Sequence, residues 1–555
     1  MIAIGLAAVA IASVWAWRAY RADPPGSVTP AEASASYYPE NAVAYAWLDL
    51  GSGESPTGII PLLLDQLEGA LGSAAEGDST LPDAIGTILG ELGAWLGTEV
   101  SAALVDLEDG KIGVAVAVGV SDRDAAAEFL RSWLRKQEER TSTSFERSVV
   151  DDGVLWVGSG NGWMEEQAYA QAGDLLLFGT DSGLLEEILG RIDGDHPETL
   201  GSTRRFEEAR TAARDGRFAS AYVDLAWLAG RMGDPDRNLC SGVPFDTPEW
   251  LMVSADWIGD GLVVDLATPD VTSWWTDTSA DVTDAIVPAD ALGFVSIGFD
   301  PDIDRWREVL DGCEIAGLIP GGYLFDPPSD EDGGGLDQGA TLADALDLAL
   351  GFVDVGTGLD AEADLFDHLR GQLVIAAHSP DREGSSVEAV AALSYRPLSA
   401  NALAGTMDGI AGGVTSLTGV SLHQLDPGAG RPARLMEDGT PSLGYLLHGG
   451  FLTIGTGTDA LETTVAVQQG TREPVSDTDR YRRTVEHISY DPLLLAYVDL
   501  ASVIDRIGSA GIGSDDGLLS MLSQWLGPMA LAVGTDGDYS RATLVLTLHP
   551  STTPV

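Results

Sequence analysis

Lysine is almost missing from these 555 residues: it occurs at Lys111 and Lys136, and every other basic side chain is arginine. In all, 30 basic residues stand against 86 acidic ones, a net charge of −56. A surface this acidic repels phosphate backbones and anionic headgroups, which excludes nucleic acid as a partner. Solubility accounts for it, and so does a saline habitat, where screening relieves the repulsion between carboxylates. Cysteine is nearly absent as well, with only Cys240 and Cys313. Two cysteines cannot make a disulfide framework or a four-ligand zinc site. A single Cys240–Cys313 bridge in an exported chain and two free thiols both remain open, because spacing does not reveal proximity. The seven histidines (His196, His368, His378, His423, His448, His487 and His549) show no ligand spacing. No Gly-x-Ser-x-Gly elbow, Ser-x-x-Lys or His-Glu-x-x-His occurs, which removes the common hydrolase signatures.

Hydrophobic residues make up 45% and charged residues 21%, ordinary values for a folded chain. The first apolar stretch, Ile2–Trp17, carries no charge and is followed by Arg18 and Arg21. It lies at the short limit of a membrane span, which needs about 17–25 residues. Trp15, Trp17 and Tyr20 would sit in an interfacial belt. A basic n-region is absent, and the small residues Ala31–Ser36 lie far from the apolar run, so an uncleaved anchor fits better than a signal peptide. Residues 1–21 are thus read as a membrane anchor and 22–37, with Pro24, Pro25 and Pro30, as a spacer. Arg18 and Arg21 vote for a cytoplasmic bulk, but two charges weigh little, and an extracytoplasmic location is expected.

The remainder reads as two copies of one unit, residues 38–277 and 278–555. Ala221-Tyr222-Val223-Asp224-Leu225-Ala226 recurs as Ala496-Tyr497-Val498-Asp499-Leu500-Ala501, six identities at an offset of 275. The same offset pairs Thr203 with Thr478, Arg205 with Arg480 and Phe206 with Tyr481. Gly179-Thr180 matches Gly455-Thr456, and Met252 is aligned with Met529 at 277. Pro39 to Asp224 spans 185 positions and Pro288 to Asp499 spans 211. The surplus falls in the Gly/Pro/Asp-rich stretch Ile319–Ala340, a loop by composition. Within a unit, apolar runs at Val100–Leu107 and Lys111–Val120 flank Glu108-Asp109-Gly110 as a hairpin. Ser121–Lys136 has helical spacing with a capping box from Ser121 and Asp124. Ser144–Val157 and Leu175–Phe178 follow as strands, then a helix through Leu184–Leu189 and another over Thr203–Arg214. The strand Ala219–Val223 and a hairpin of Trp250–Asp256 with Gly261–Ala267 close the unit. Hairpins mixed with helices predict an α+β fold: antiparallel sheet and packed helices, in two tandem copies behind one N-terminal transmembrane helix.

The run from Tyr38-Pro39 to Asp49, the Trp95-Leu96-Gly97-Thr98-Glu99 run, the Gly179-Thr180 turn and the Ala221–Leu225 strand resemble the bacterial family called domain of unknown function 3352. Leu369-Arg370-Gly371-Gln372-Leu373 echoes the Trp95 run but lacks its tryptophan and acid. The resemblance covers about residues 38–555 and implies a membrane-anchored envelope protein. It carries no activity with it.

Four features invite chemistry. Gly455-Thr456-Gly457-Thr458-Asp459-Ala460 follows a strand and opens a helix, as a phosphate cradle does, but its counterpart Gly179-Thr180-Asp181-Ser182-Gly183 has different glycine spacing. A tight turn with Thr/Asp/Ser capping accounts for both. Asp224 and Asp499 suggest a paired acid site, yet Asp-Leu also closes strands at Asp49 and Asp106, so N-capping is expected. Asp300, Asp302 and Asp304 alternate as in a calcium loop, but Arg305 replaces the required glycine. The acidic loop residues Asp330, Glu331, Asp332 and Asp337 remain a candidate for Ca²⁺, and no other cofactor is expected. The expected function is therefore a membrane-anchored envelope protein with a non-catalytic binding or scaffolding role toward an envelope partner. An envelope hydrolase with residues scattered along the chain, and a cation-dependent structural protein, remain the alternatives.

Overall fold

The computed structural model describes residues 34–49, most of 95–269 and most of 286–548, the largest internal gaps being 233–247, 308–342, 348–359 and 510–525. The chain divides into two compact units, Met1–Leu228 with Glu249–Thr268, and Ala229–Pro248 with Pro269–Val555. Both combine helices with antiparallel sheet. Among the described residues no helix is long and apolar enough to cross a membrane, and Ile2–Trp17 lies outside them.

The first unit runs β1 (Ala42–Asp49), β2 (Leu96–Asp106), β3 (Ile112–Val120), α1 (Arg123–Thr141), β4 (Phe145–Val150), β5 (Gly153–Ser159), β6 (Glu166–Ala172) and β7 (Leu175–Gly179). It continues through α2 (Ser182–Ile192), α3 (Arg204–Ala212), β8 (Ala219–Asp224), α4 (Leu225–Met232), β9 (Trp250–Ile258) and β10 (Gly261–Pro269). Its strands lie in the order β10-β9-β8-β1-β2-β3-β7-β6-β5-β4, every pair antiparallel. The stretch Ser144–Val157, expected as one strand, is instead the hairpin β4–β5, with Val150 opposite Gly153.

Sequence period sets how this sheet is covered. On α1, Ala126, Leu130 and Leu134 recur every fourth residue and are buried with Trp95, Val118 and Val120. The cap of α1 differs from expectation. Asp122, not Ser121, accepts the Asp124 and Ala125 amides at 3.0 and 3.1 Å, while the Ser121 hydroxyl donates to the Leu96 carbonyl. On α2, Leu184, Leu185, Ile188 and Leu189 are buried, each worth roughly 1.5–3 kcal/mol of apolar transfer. The strands make room for that helix with glycine. A Cβ at Gly113, Gly153 or Gly179 would stand 2.9 Å from Leu184, Leu189 or Leu185 respectively. Between α3 and the sheet, Tyr38, Tyr45, Phe206 and Tyr222 pack edge to face with centroids 5.3–5.7 Å apart.

The second unit runs β11 (Ala291–Gly298), α5 (Ala361–Asp364), β12 (Leu369–His378), β13 (Glu388–Tyr395), α6 (Ala400–Thr418), β14 (Ser421–Leu425), β15 (Ala433–Glu437), β16 (Leu443–His448) and β17 (Phe451–Gly455). It ends with α7 (Thr458–Gln468), α8 (Asp479–Val485), β18 (Pro492–Asp499), α9 (Leu500–Ser509), β19 (Leu526–Asp536) and β20 (Tyr539–Leu548). The strand order is β20-β19-β18-β11-β12-β13-β17-β16-β15-β14, again antiparallel throughout. Its core gathers Phe294, Val374, Ala376, Val390, Tyr481 and Tyr497, while Leu403, Met407 and Ala411 of α6 pack with Tyr445 and Leu452.

Register corrects two of the matches drawn from sequence. Met252 lies opposite Tyr222, and the residue opposite Tyr497 is Ala530, not Met529. Leu369 and Leu373 stand at the bulge of β12 where Leu96 and Val100 stand in β2, one residue away from the alignment on glycine. Gly97 and Gly371 accordingly differ: only Gly371 has a positive φ, +98°, and a Cβ there would lie 2.2 Å from the Phe299 carbonyl oxygen.

Candidate functional site

The two glycine turns close in the same way. Thr180 donates its amide to the Val114 carbonyl (3.1 Å) and accepts the Val114 amide on Oγ1 (3.0 Å). Thr456 does the same with Ala389, at 3.0 Å for both bonds. An anion at either helix start would need the free amides of the first turn. Those amides are held by carboxylates of the chain itself. Asp181 accepts the Leu184 amide at 2.8 Å and Glu166 accepts the Ser182 amide at 2.7 Å. In the second unit the capping expected from the turn's own Thr and Asp does not occur. The N-cap position is Gly457, with no side-chain cap, and Glu388 of β13 accepts the Ala460 amide at 2.7 Å. A Cβ on Gly457 would lie 2.3 Å from the Glu388 carboxyl carbon, so glycine is what lets that carboxylate in.

Asp224 and Asp499 are N-caps that also hold an arginine. Asp224 accepts the Trp227 amide at 2.7 Å and Arg205 Nη1 at 2.9 Å, and Arg205 Nε reaches Glu249 at 3.0 Å. Asp499 accepts the Ser502 amide (3.2 Å), the Ser502 hydroxyl (2.9 Å) and Arg480 Nη1 (2.5 Å). The arginines come from the first turns of α3 and α8, whose caps Thr203 and Thr478 accept the amides of Phe206 and Tyr481. Every near oxygen of both acids is engaged, which leaves neither placed as a general acid or base. Asp106, which also closes a strand, accepts Trp227 Nε1 at 2.8 Å.

The Asp300 series is internally bonded. Asp300 and Asp302 accept the amides of Asp302 and Asp304, and Arg307 binds Asp304, Asp347 and Glu362 at 2.8–2.9 Å. Among the described residues no group of three or more His, Cys, Asp or Glu could hold a metal ion. Asp330, Glu331, Asp332 and Asp337 lie outside the described residues, as do Cys240 and Cys313.

A polar constellation that sequence reasoning missed lies in the second unit. His378 ends β12 with 3% of its surface exposed, and among the described residues its Nε2 has no hydrogen-bond partner. Glu388 begins β13 directly across the ladder from it. Arg472 donates to Asp290 at 2.5 Å and to Thr463 Oγ1 at 3.1 Å beside them. Burial lowers the His378 pKa, and the charge of Glu388 is the strongest pull in the other direction. The ring is therefore neutral at neutral pH. In the first unit, the residue opposite the start of β1 is Val105, itself opposite Gly113. The signal in the sequence was thus a difference between the halves.

Neither a family model nor a curated protein matches the sequence. Two solved structures are similar over part of it. Crystal form III of TP0453 covers 44% of this chain and 80% of its own at 13% identity, with a TM-score of 0.24. Crystal form I of TP0453 covers the same shares at 12% identity and the same TM-score. A likeness at that level carries no argument about fold or function.

Proposed function

We propose that the chain is a duplicated, non-catalytic binding or scaffolding protein, tethered to a membrane through Ile2–Trp17 with its bulk outside the cytoplasm. The observation that carries this reading is the use made of the groups the two halves share. The glycine turns, the threonine caps and the Asp–Arg pairs each hold a helix start or tie a helix to a strand, and none presents a free nucleophile or base. Duplication is supported by the coincidence of strand order together with six identities at an offset of 275. It is supported further by matched bridges, Pro39 with Thr199 and Pro288 with Pro474. The acidic surface suits a role in which the protein stays solvated and selects basic or neutral partners.

The test uses the full-length chain in bacterial membranes. Alkaline extraction should leave it in the membrane fraction, and protease added to intact spheroplasts should digest the bulk. In-membrane crosslinking followed by mass spectrometry should then return a small, reproducible set of envelope proteins. Release by alkaline extraction, or protection from the protease, overturns the tether or its orientation. Turnover of an ester, phosphoester, peptide or glycoside by the purified chain, abolished by Asp499→Asn in a folded variant, overturns the non-catalytic role.

A further inference from the structure

A buried imidazole that becomes charged must find a counter-ion, because an unpaired charge in a protein interior is far more costly than a neutral ring. Among the described residues, the charged groups facing His378 are Glu388 from the start of β13, Asp290 just before β11, Asp459 in the first turn of α7, and Arg472 beyond the end of α7. Arg472 is committed to Asp290 and Thr463. Glu388 lies directly across the ladder, where opposed side chains approach within about 4.5–5.5 Å at Cβ. That carboxylate is meanwhile the acceptor of the Ala460 amide at 2.7 Å, and its place there depends on Gly457. The same carboxylate is thus within reach of two donors, one a neutral amide and the other a ring that can gain charge.

We propose that His378 is a proton-operated switch on helix α7: the charged imidazolium takes Glu388 from the Ala460 amide and loosens the first turn of the helix. Both bonds to Glu388 use its charge, but the imidazolium brings a full opposite charge where the Ala460 amide brings only a dipole, and inside the protein that added attraction is weakly screened. The released turn carries Ala460 and Leu461, which are buried at 0% and 2% exposure, so loosening it unpacks part of the second unit's core. The first unit is a built-in control. Its α2 start is held by Asp181 and Glu166, with Val105 and Gly113 on the strands where the second unit has His378 and Glu388.

Hydrogen exchange on the full chain tests this, read by mass spectrometry between about pH 7.5 and 5 and corrected for intrinsic rates. Protection of peptides across the start of α7 should fall about tenfold per pH unit once the pH drops below the ordinary histidine range, while peptides across the start of α2 hold. His378→Val should abolish the fall, and His378→Gln, which keeps a polar side chain but cannot charge, should abolish it as well. Glu388→Gln should leave α7 insensitive to pH, because its amide oxygen still accepts from Ala460 but offers the imidazolium no charge. The proposal is overturned by a wild-type chain with no loss across α7, or by either folded His378 variant keeping the loss. An equal loss at α2 would also overturn it, since the response would then be global.

Discussion

Replacing Asp499 by asparagine and by alanine separates the two tasks that this side chain performs. Asparagine keeps an oxygen for the Ser502 amide and removes the charge facing Arg480. Asp499 is 4% exposed and Arg480 is 53% exposed, so water re-solvates the arginine once its partner is neutral. The ion pair is then worth about 1 kcal/mol, not the larger figure of a fully buried pair. Alanine removes the N-cap of α9 too, a further loss of about 1 kcal/mol. It also strands the Ser502 hydroxyl that donates at 2.9 Å, worth about 1 kcal/mol. Asp499→Asn should therefore cost about 1 kcal/mol and Asp499→Ala about 3 kcal/mol. Urea unfolding of the full chain measures both, with hydrogen exchange over β18 and α9 assigning the loss to the second unit. Equal costs for the two variants would refute the division into cap and ion pair. A gain of stability in Asp499→Asn would refute the structural reading altogether, because acids held at a cost to stability mark functional sites.

Gly371→Ala should be among the most damaging single changes in the second unit. Its φ of +98° and the 2.2 Å approach of a Cβ to the Phe299 carbonyl leave backbone movement as the only relief, and we expect a loss above about 3 kcal/mol by thermal or urea unfolding. Gly457→Ala should cost roughly 1–3 kcal/mol by expelling Glu388 from the Ala460 amide, and exchange at the start of α7 should quicken at neutral pH. The phenols of Tyr38, Tyr45, Tyr222 and Tyr497 are held protonated above the ordinary tyrosine range, chiefly by burial. An unfolded chain sheds those protons near pH 10, about the free value, while the folded chain retains them. Stability is thus full below that pH and falls as pH rises through it. Absorbance at the phenolate band should show these four ionising together with unfolding, and smooth titration of all tyrosines in a folded chain would refute their burial.

Strand and helix positions were readable where period and punctuation agreed. The alternating runs on either side of Glu108-Asp109-Gly110 are β2 and β3, and Thr203 and Thr478 cap the helices that follow them. Failures came in two physical kinds. Short apolar matches tolerate a slip of one residue, but a sheet does not, because the slip turns every side chain to the opposite face. Met252 is buried at 2% exposure opposite Tyr222, and its counterpart by pairing is the fully buried Ala530, whereas Met529 points the other way. Aligning on identity therefore chose a methionine where the pairing places an alanine. The second kind is convergence in space. His378, Glu388, Asp290 and Arg472 come from four separate segments, and no spacing rule joins them.

A difference between the two units nevertheless points at that group. Where both halves keep a residue, as at Thr203 and Thr478 or Asp224 and Asp499, the structure shows the same hydrogen bond to the same kind of helix start. The residues that the two units have in common therefore serve the fold itself. At the end of the second strand one half has Val105 facing Gly113, which asks nothing of the solvent, and the other has His378 facing Glu388, which sets a titratable ring with an unpartnered nitrogen inside a core. Packing alone does not require that exchange, since the apolar version serves the same sheet position in the first unit. A buried polar pair that the first unit lacks is held at some cost in desolvation, which sets it apart from the residues that the two units have in common.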